Sequence, residues 1–397
     1  MIDKIFLYIL IFLLISGVVL SCSDDETVGT VDPIATCFDG IMNGAEEGVD
    51  CGGTCVIVCP PSDKLEGDIL GTLELNASIE YLVTGPVLVR DKAKLLIPAG
   101  TVIKVESGIN AYIAVTQGGQ IFANGQSDNP IVITSNAANP APGDWGGLII
   151  SGRAPINTST VDRTEIIDIF YGGTVINDSS GLIKYLRIEY AGAKFDASKK
   201  FNGISFFGVG AFTTVNYVQS AYCLGDGFKF IGGTIKPKWL VSTNTNENGL
   251  HITDGWNGEV DSIYISDVNK AGIRIANNPE IEERSPITNG TIQNITILGP
   301  LTEGAIVYAN GGALATFNNI YTSDINLGIN VSGELATSQV EMNNLTISNI
   351  QFDNPSVGFS PTNHTGANTS FYIEADNVGA GNRATIPNWA TGWTLGF

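Results

Sequence analysis

This chain of 397 residues is poor in charge: only 15% of its residues are charged, and it has two histidines and three methionines. Basic residues are the scarcer sign, with 20 Lys and Arg against 40 Asp and Glu, which gives a net charge of −20. A surface of that sign repels phosphate backbones and anionic lipids. The composition therefore argues against nucleic acid as a partner and against docking on an anionic membrane surface.

The sequence also lacks the usual marks of catalysis and of helices. It contains no nucleophile motif, phosphate loop or zinc signature, and His251 and His364 are its only histidines. Asp226, Asp254 and Glu189 lie near glycine-rich turns, yet nothing in the sequence fixes their separation, so a two-carboxylate glycosidase cannot be argued. No amphipathic stretch with a period of 3.6 is long enough to supply the helix of a βαβ unit or of a leucine-rich repeat.

One apolar phrase recurs from about residue 147 to 350. Examples are Ile183-Lys-Tyr-Leu186-Arg-Ile188 and Ile292-Gln-Asn-Ile295-Thr-Ile297. The anchor positions, 32, 22, 23, 32, 25 and 25 residues apart, are Leu186, Val218, Leu240, Ile263, Ile295, Ile320 and Leu345. A second phrase, a glycine followed by alternating apolar residues, accompanies them, as in Gly227-Phe-Lys-Phe.

A repeat in the twenties with alternation at period two indicates a solenoid built from strands. We therefore predict an all-β fold, a parallel β-helix over residues 61–397 with capping strands at its N-terminal end. In this fold, stacked strands about 4.8 Å apart fill the interior with Ile, Val, Leu and Phe. Asn beside the anchors suits the corners, where it tolerates left-handed backbone. The tail beyond Ile350, with Trp389 and Trp393, is expected to cap the last coil.

The first residues have the features of a targeting signal. Residues 1–21 form a signal peptide with an apolar run, ending in Val19-Leu20-Ser21 before Cys22. That end resembles a bacterial lipobox, which implies lipidation of Cys22; the alternative is a plain signal peptide followed by a chance cysteine. Residues 22–36 form a linker that starts with Ser23-Asp24-Asp25-Glu26, similar to the acidic export tag of Bacteroidota surface lipoproteins; the alternative is a solvated linker.

Residues 37–60 hold four cysteines, Cys37, Cys51, Cys55 and Cys59. So many in a short exported segment predict two disulfides, and zinc is the alternative. The segment resembles a small extracellular module with the pattern C-x-(D/N)-G-x-x-N-G-x-E-x-G-x-D-C-G-G-x-C. Its acidic and amide side chains are candidate calcium ligands or a solvated face. They are Asp39, Asn43, Glu47 and Asp50.

The main region resembles a known family. Gly143-Asp-Trp-Gly-Gly-Leu-Ile-Ile-Ser-Gly152, Gly225-Asp-Gly-Phe-Lys-Phe-Ile-Gly-Gly-Thr234 and the Trp389-Ala-Thr-Gly-Trp393 tail are similar to Bacteroidota surface proteins. The resemblance runs from about Leu95 to Phe397 and implies a right-handed β-helix at the outer membrane, with no established activity. The chain departs from the family at Gly227, where a second acidic residue usually follows Asp226.

Alignment of the glycine phrases predicts a column of side chains on one outward face. Its members are Ser205, Lys229, His251, Arg274, Ile306 and Asn330. Like charges stacked about 5 Å apart repel, so the stacking of Lys229, His251 and Arg274 requires an explanation. One interpretation is recognition of uronic or sulfated sugars, with Asp226 and Asp254 nearby, or a lyase site. The other is a solvated face whose cations pair with neighbouring carboxylates.

These patterns favour a surface lipoprotein anchored in the outer membrane. The expected function is non-enzymatic binding of extracellular glycan or of a partner outer-membrane protein. A polysaccharide lyase acting on acidic glycans and a structural subunit of an envelope assembly are the alternatives. Pectinase-type β-helix hydrolases carry an Arg-Ile-Lys triplet, whereas this chain has Arg274-Ile275-Ala276. We therefore expect no catalysis, no cofactor other than Ca²⁺, and no nucleic acid partner.

Overall fold

The structure is a computed structural model. It describes residues 62–397 and the single positions Gly44, Glu46 and Gly53. The predicted signal peptide, the lipidation site Cys22, the acidic tag, the four cysteines and the calcium candidates Asp39, Asn43, Glu47 and Asp50 lie outside the described residues. None of the helices in the described part is long and apolar enough to cross a membrane.

Strands make up almost all regular structure of the described chain. In order they are β1 Lys64–Ile69, β2 Thr72–Glu74, β3 Glu80–Val89, β4 Lys94–Pro98, β5 Val102–Val105, β6 Tyr112–Val115, β7 Gln120–Asn124, β8 Ile131–Ser135, β9 Leu148–Ser151, β10 Asp162–Arg163, β11 Phe170–Tyr171, β12 Gly181–Glu189, β13 Ile204–Phe207, β14 Thr214–Ala221, β15 Phe228–Ile231, β16 Lys238–Thr245, β17 Leu250–Thr253, β18 Glu259–Val268, β19 Ala271–Ala276, β20 Asn289–Leu298, β21 Gly304–Ala309, β22 Leu314–Ser323, β23 Leu327–Ser332, β24 Leu345–Asp353, β25 Ser360–Thr362 and β26 Tyr372–Glu374. One helix, α1 Glu334–Glu341, and a 3-10 turn at Asn388–Ala390 complete the list.

Apart from the antiparallel pair β10 and β11, the strands from β9 onward form two parallel stacks, which continue the parallel pairing of β1–β8. The short stack contains β9, β13, β15, β17, β19, β21, β23 and β25, and the long stack contains the even-numbered strands from β12 to β26. Each coil contributes one strand to each stack and so pairs with the coil before and after it. The predicted all-β solenoid is confirmed.

The long strands from β12 to β24 bend at a residue with left-handed backbone near their middle or start, so each of them covers two walls of the solenoid. The halves of β12 show this, because Leu182 pairs with β7 and Leu186 pairs with β8. The bending residues are Tyr185, Tyr217, Trp239, Ser262, Asn294, Asn319 and Asn349, with φ between 48° and 67°. Asn tolerates this conformation better than other non-glycine residues. The Asn319 side chain also donates to Asn294 at 3.1 Å, which forms the predicted ladder.

The interior is the apolar cluster that the anchors predict. Leu186, Val218, Leu240, Ile263, Ile295 and Ile320 pair in succession along the long stack, and all are fully buried. The predicted anchor Leu345 is wrong, because Leu345 pairs with Ala315 and it is Ile350 that pairs with Ile320. Helix α1 is inserted before this strand. The segment Met342-Asn-Asn-Leu345 therefore resembles the repeated phrase but precedes the segment around Ile350 that occupies the corresponding place in the coil.

The C-terminal tail continues beyond the last coil. Strands β25 and β26 extend the two stacks, pairing with β23 and β24. The chain then runs back along the outside of the long stack. Trp393 reaches Tyr185 and Tyr217 near the first long strands, with ring centroids 5.7 and 6.3 Å apart. The tail therefore covers a flank of the solenoid as well as its end.

Candidate functional site

The cationic column lies on the outward side of the short stack. Lys229 pairs with His251 and His251 with Arg274, on three successive strands. Their strand neighbours Phe228 and Phe230 point into the core and are fully buried. The prediction that Ile306 belongs to this column is wrong, because Arg274 pairs with Val307. Gly304 pairs with Ala271, so the register of this strand is shifted by one residue from the alignment of the glycine phrases.

Two of the three basic side chains of the column have carboxylate partners. His251 Nδ1 lies 2.9 Å from Asp226 Oδ2, and Arg274 Nη1 lies 2.9 Å from Glu303 Oε2. Burial opposes ionisation of Asp226, but the His251 ring and the Asn248 amide, which donates at 2.7 Å, hold its pKa below the usual range. Within residues 62–397, Lys229 has no carboxylate oxygen within 4.0 Å, so it is the unpaired charge of the column.

Two segments that interrupt the repeat close over this face. Residues 155–181 include the small hairpin of β10 and β11, and residues 277–288 follow β19. Between them and the strands lies a cavity of about 290 Å³, at the lower end of small-molecule sites. Its polar lining includes Asp162, Glu165, Lys200, Lys229, Asp254, Asn278 and Arg284.

Asp254 is the most perturbed carboxyl of this cavity. It is 8% exposed and has a φ of 57° directly after β17, at a corner that Gly208 and Gly232 occupy in the two preceding coils. Burial raises the pKa of Asp254 to about 6; the charge of Lys229 opposes the rise, and Glu165 and Asp162 add to it. A carboxyl that titrates near neutral pH can exchange a proton with a bound substrate.

A buried amide network fixes Asp254 and joins the two inserted segments. Asn278 Nδ2 donates to Asp254 Oδ1 at 3.2 Å and to Asn157 Oδ1 at 3.3 Å. Asn278 Oδ1 accepts from the backbone of Glu280 and Ile281, which leaves only the NH₂ group to face the carboxyl. Asn157 in turn donates to Asn277 Oδ1 at 2.8 Å. The cavity wall and its carboxyl are therefore held as one unit.

A second depression of about 330 Å³ adjoins the cavity, and the two share Glu165, Lys200, Asn202 and Lys229. Seven of the chain's 20 Lys and Arg residues line the two depressions, with seven of its 40 Asp and Glu residues. The basic set is Arg163, Lys199, Lys200, Lys229, Lys270, Arg274 and Arg284; the acidic set is Asp162, Glu165, Asp226, Glu247, Asp254, Glu280 and Glu303. This face is therefore locally neutral on a chain that is strongly acidic.

The structure thus brings together Lys229, His251, Arg274 and Asp226, and it places Asp254 with Lys229 in the cavity. Sequence reasoning missed Asp162, Glu165 and Asn278, which lie in the two segments that interrupt the repeat. For calcium, no cluster of three or more His, Cys, Asp or Glu side chains that could hold a metal is found in the described part. Cys223 is buried, with Sγ 3.3 Å from the Asp226 carbonyl oxygen.

Comparison with known proteins gives one family. A family model described as a pectate-lyase-like β-helix domain matches residues 67–394. A solved structure, the catalytic domain of a GH87 α-1,3-glucanase variant in complex with tetrasaccharides, is 12% identical, with a TM-score of 0.33; the match covers 84% of this chain and 71% of that one. Among curated proteins, none matches this sequence.

The family match corrects one expectation. The interpretation of this chain as a protein without catalytic activity is wrong, because the family model that covers most of it is described by its likeness to an enzyme, pectate lyase. The missing Arg-Ile-Lys triplet and the absence of a complete motif are therefore poor arguments against catalysis, since the perturbed carboxyl and the unpaired lysine come together only in the folded chain.

Proposed function

The chain belongs to the pectate-lyase-like β-helix domain family, and on that premise we propose that it is a polysaccharide lyase that cleaves an acidic glycan in the cavity beside Lys229. A glycan-related function follows from the family. The proposal of lyase activity in this cavity rests on a pair of residues. Lys229 has no carboxylate partner within the described chain, and Asp254 has a pKa of about 6.

Each residue of the pair has a role in β-elimination. Lys229 binds the carboxylate of a uronate and neutralises it, which makes the proton on the neighbouring carbon, C5, more acidic. Asp254 is ionised at neutral pH and takes that proton. The C5–H electrons form a double bond between C4 and C5, the bond from C4 to the glycosidic oxygen breaks, and that oxygen takes a proton from water. The product is an unsaturated sugar.

The surrounding charge supports an acidic substrate. An acidic polymer is repelled by most of a surface with a net charge of −20, but it meets local neutrality at the two depressions. Repulsion from the rest of the surface is screened beyond about 8 Å at physiological salt. Arg274 and Lys200 are paired with carboxylates there, whereas Lys229 is free to bind a substrate carboxylate.

Hydrolysis is the second candidate, favoured by the carboxylates. Asp254, Glu165 and Asp162 line one cavity, and the two others help to raise the pKa of Asp254, as in glycosidases where one carboxyl is kept protonated as the acid. The two reactions differ in product. Elimination generates ultraviolet absorbance together with new reducing ends, whereas hydrolysis generates reducing ends alone.

The test incubates the protein with polyuronates and sulfated glycans and follows both signals. We expect ultraviolet absorbance, reduced at least about a hundredfold in Lys229→Met and in Asp254→Asn. Lys238→Met is the matched control, because Lys238 is a half-buried lysine on the long stack, where it forms an ion pair with Asp261 at 3.7 Å. New reducing ends without ultraviolet absorbance would reject elimination and support hydrolysis. Full activity in both Lys229→Met and Asp254→Asn would reject this cavity as the active site.

The place of action is a proposal supported by the sequence alone. We propose that the enzyme is anchored by a lipid on Cys22 and works on the outer face of the outer membrane, beside a partner envelope protein or alone. Cys22→Ala is expected to release it from membranes. Replacing Asp24, Asp25 and Glu26 together is expected to leave it lipidated but protected from protease added to intact cells; a variant still cleaved at the surface would reject the export tag.

A further inference from the structure

The outward side of the short stack is apolar where the cavity covers it. Ile149 pairs with Ser205 and Ser205 with Lys229, while Phe207 pairs with Ile231. On each strand the alternate residues enter the core, so Ile149, Phe207 and Ile231 point outward beside Lys229. An outward strand face in contact with solvent is usually polar. These positions therefore need an explanation other than the solenoid core.

The apolar side chains form one wall of the cavity. Ile149 and Phe201 pack with Ile166, Ile167 and Phe207 in a cluster separate from the solenoid core. Phe207 also contacts Tyr171, with ring centroids 5.0 Å apart. All six residues line the cavity. Lys229 and Asp254 line the same space, so a ligand meets charge on one side and hydrocarbon on the other.

We infer that the cavity binds an acidic sugar that carries a methyl-terminated substituent, an acetyl ester or an N-acetyl group, with this group against the apolar wall. The inference rests on the proposed function and narrows its substrate. Hydroxyl groups of a bare sugar placed against this wall lose their hydrogen bonds to water without replacement. A methyl group placed there leaves water with a gain in affinity of about fourfold.

The test measures binding rather than turnover. Asp254→Asn protein is titrated by calorimetry with pairs of acidic oligosaccharides of equal charge that differ only in the substituent: O-acetylated against de-O-acetylated, and N-acetylated against N-formylated, which lacks the methyl group. We expect the substituted member of at least one pair to bind about fourfold to tenfold more tightly. The pair that shows the preference identifies the source of the methyl group.

Variants of the wall separate this preference from general affinity. Ile167→Ser, on the inserted segment, is expected to remove the preference, so that substituted and bare oligosaccharides bind with equal affinity. Phe212→Ser is the matched control, because Phe212 is 66% exposed and does not line the cavity. Should Ile167→Ser fold poorly, Phe207→Leu, which keeps the wall apolar but changes its shape, is expected to alter the preference in the same assay.

The outcomes distinguish the two proposals. Cleavage of glycans with equal binding of substituted and bare oligosaccharides would overturn the inference and leave the enzyme proposal standing. A clear preference without cleavage of any glycan would support the binding inference and reject the lyase. A preference that survives both Ile167→Ser and Phe207→Leu would overturn the assignment to this wall.

Discussion

The C-terminal tail and the two inserted segments both lie across the outside of the stacked strands, but they cover it differently. The tail fills its flank: Trp393 is fully buried against Val241 and Ala380, and its indole Nε1 donates to the Trp389 carbonyl at 2.8 Å. The inserted segments do not pack fully against the short stack, and a cavity lies between them and its strands. Non-repeating chain is therefore used in two ways on one solenoid.

Polar groups show the same contrast. Under the tail, Gln219 donates to the Leu395 carbonyl at 3.1 Å and accepts from its backbone N–H at 2.7 Å, so the contact is satisfied on both sides. In the cavity, Lys229 lacks a carboxylate partner within residues 62–397, and Asp254 is buried with a raised pKa. Functional sites commonly retain such unfavourable features, which packing elsewhere offsets. We therefore expect the tail flank to stabilise the fold, and we propose that the cavity flank serves function.

The strongest test of this contrast truncates the tail's anchor. Trp393→Ala should lower the free energy of unfolding by about 3–5 kcal/mol, because a large buried aromatic side chain is removed from a flank that cannot collapse completely. Urea denaturation measures the change. Ligand binding in the cavity should stay at the wild-type level in the folded variant, since the tail packs on the long stack.

Phe397→Ala is the control, because Phe397 belongs to the same tail but is 49% exposed. Its removal should cost less than about 1 kcal/mol. A Trp393→Ala protein as stable as the wild type would show that the tail does not stabilise the solenoid, which would contradict the role given to the tail flank.

The second test concerns the cost of the cavity. The pKa of Asp254 rises from its ordinary value of 3.8 to about 6, so between these values the folded protein binds more protons than the unfolded chain. Stability therefore decreases as pH rises through this window, by about 3 kcal/mol. Asp254→Asn should remove that decrease and make the protein more stable than the wild type at pH 8, as measured by denaturation at several pH values.

Asp226→Asn provides a control of opposite sign. The pKa of Asp226 is lowered by His251 despite burial, so its ionised form stabilises the fold above its ordinary pKa, and this stabilisation is lost as pH falls. The Asn variant should be less stable than the wild type at neutral pH. If both variants shifted stability in the same direction, the charges at these two positions would not explain the pH dependence.

The solenoid could be predicted from the sequence because each coil repeats the same local rule. The stacked anchors from Leu186 to Ile320 follow from the phrase alone. The prediction of Leu345 is wrong because a helix of eight residues is inserted before it and the phrase reappears there by coincidence. A repeat predicts register only while no insertion interrupts it.

The site could be predicted only in part, for the same reason. The column of Lys229, His251 and Arg274 follows the repeat, so its stacking could be derived from spacing. The cavity depends on contacts between segments that do not repeat, such as the hydrogen bond between Asn157 and Asn278, which are 121 residues apart. No local pattern encodes that distance. The pKa of Asp254 could not be predicted either, since burial under these segments is its main cause.

The smallest expected effect separates backbone from side chain at the corners of the long stack, the part of the molecule that follows the repeat. Asn319 has a φ of 53°, donates to Asn294 and accepts from Asn349 at 3.4 Å. Asn319→Ala loses the ladder contact, worth about 1 kcal/mol, and adds the cost of left-handed backbone, about 1–2 kcal/mol. Asn319→Gly loses only the ladder contact, because glycine adopts this backbone freely. Denaturation should therefore rank the wild type above the Gly variant and the Gly variant above the Ala variant. Equal loss in both would assign the effect to the ladder alone, whereas a neutral Gly variant would assign it to the backbone.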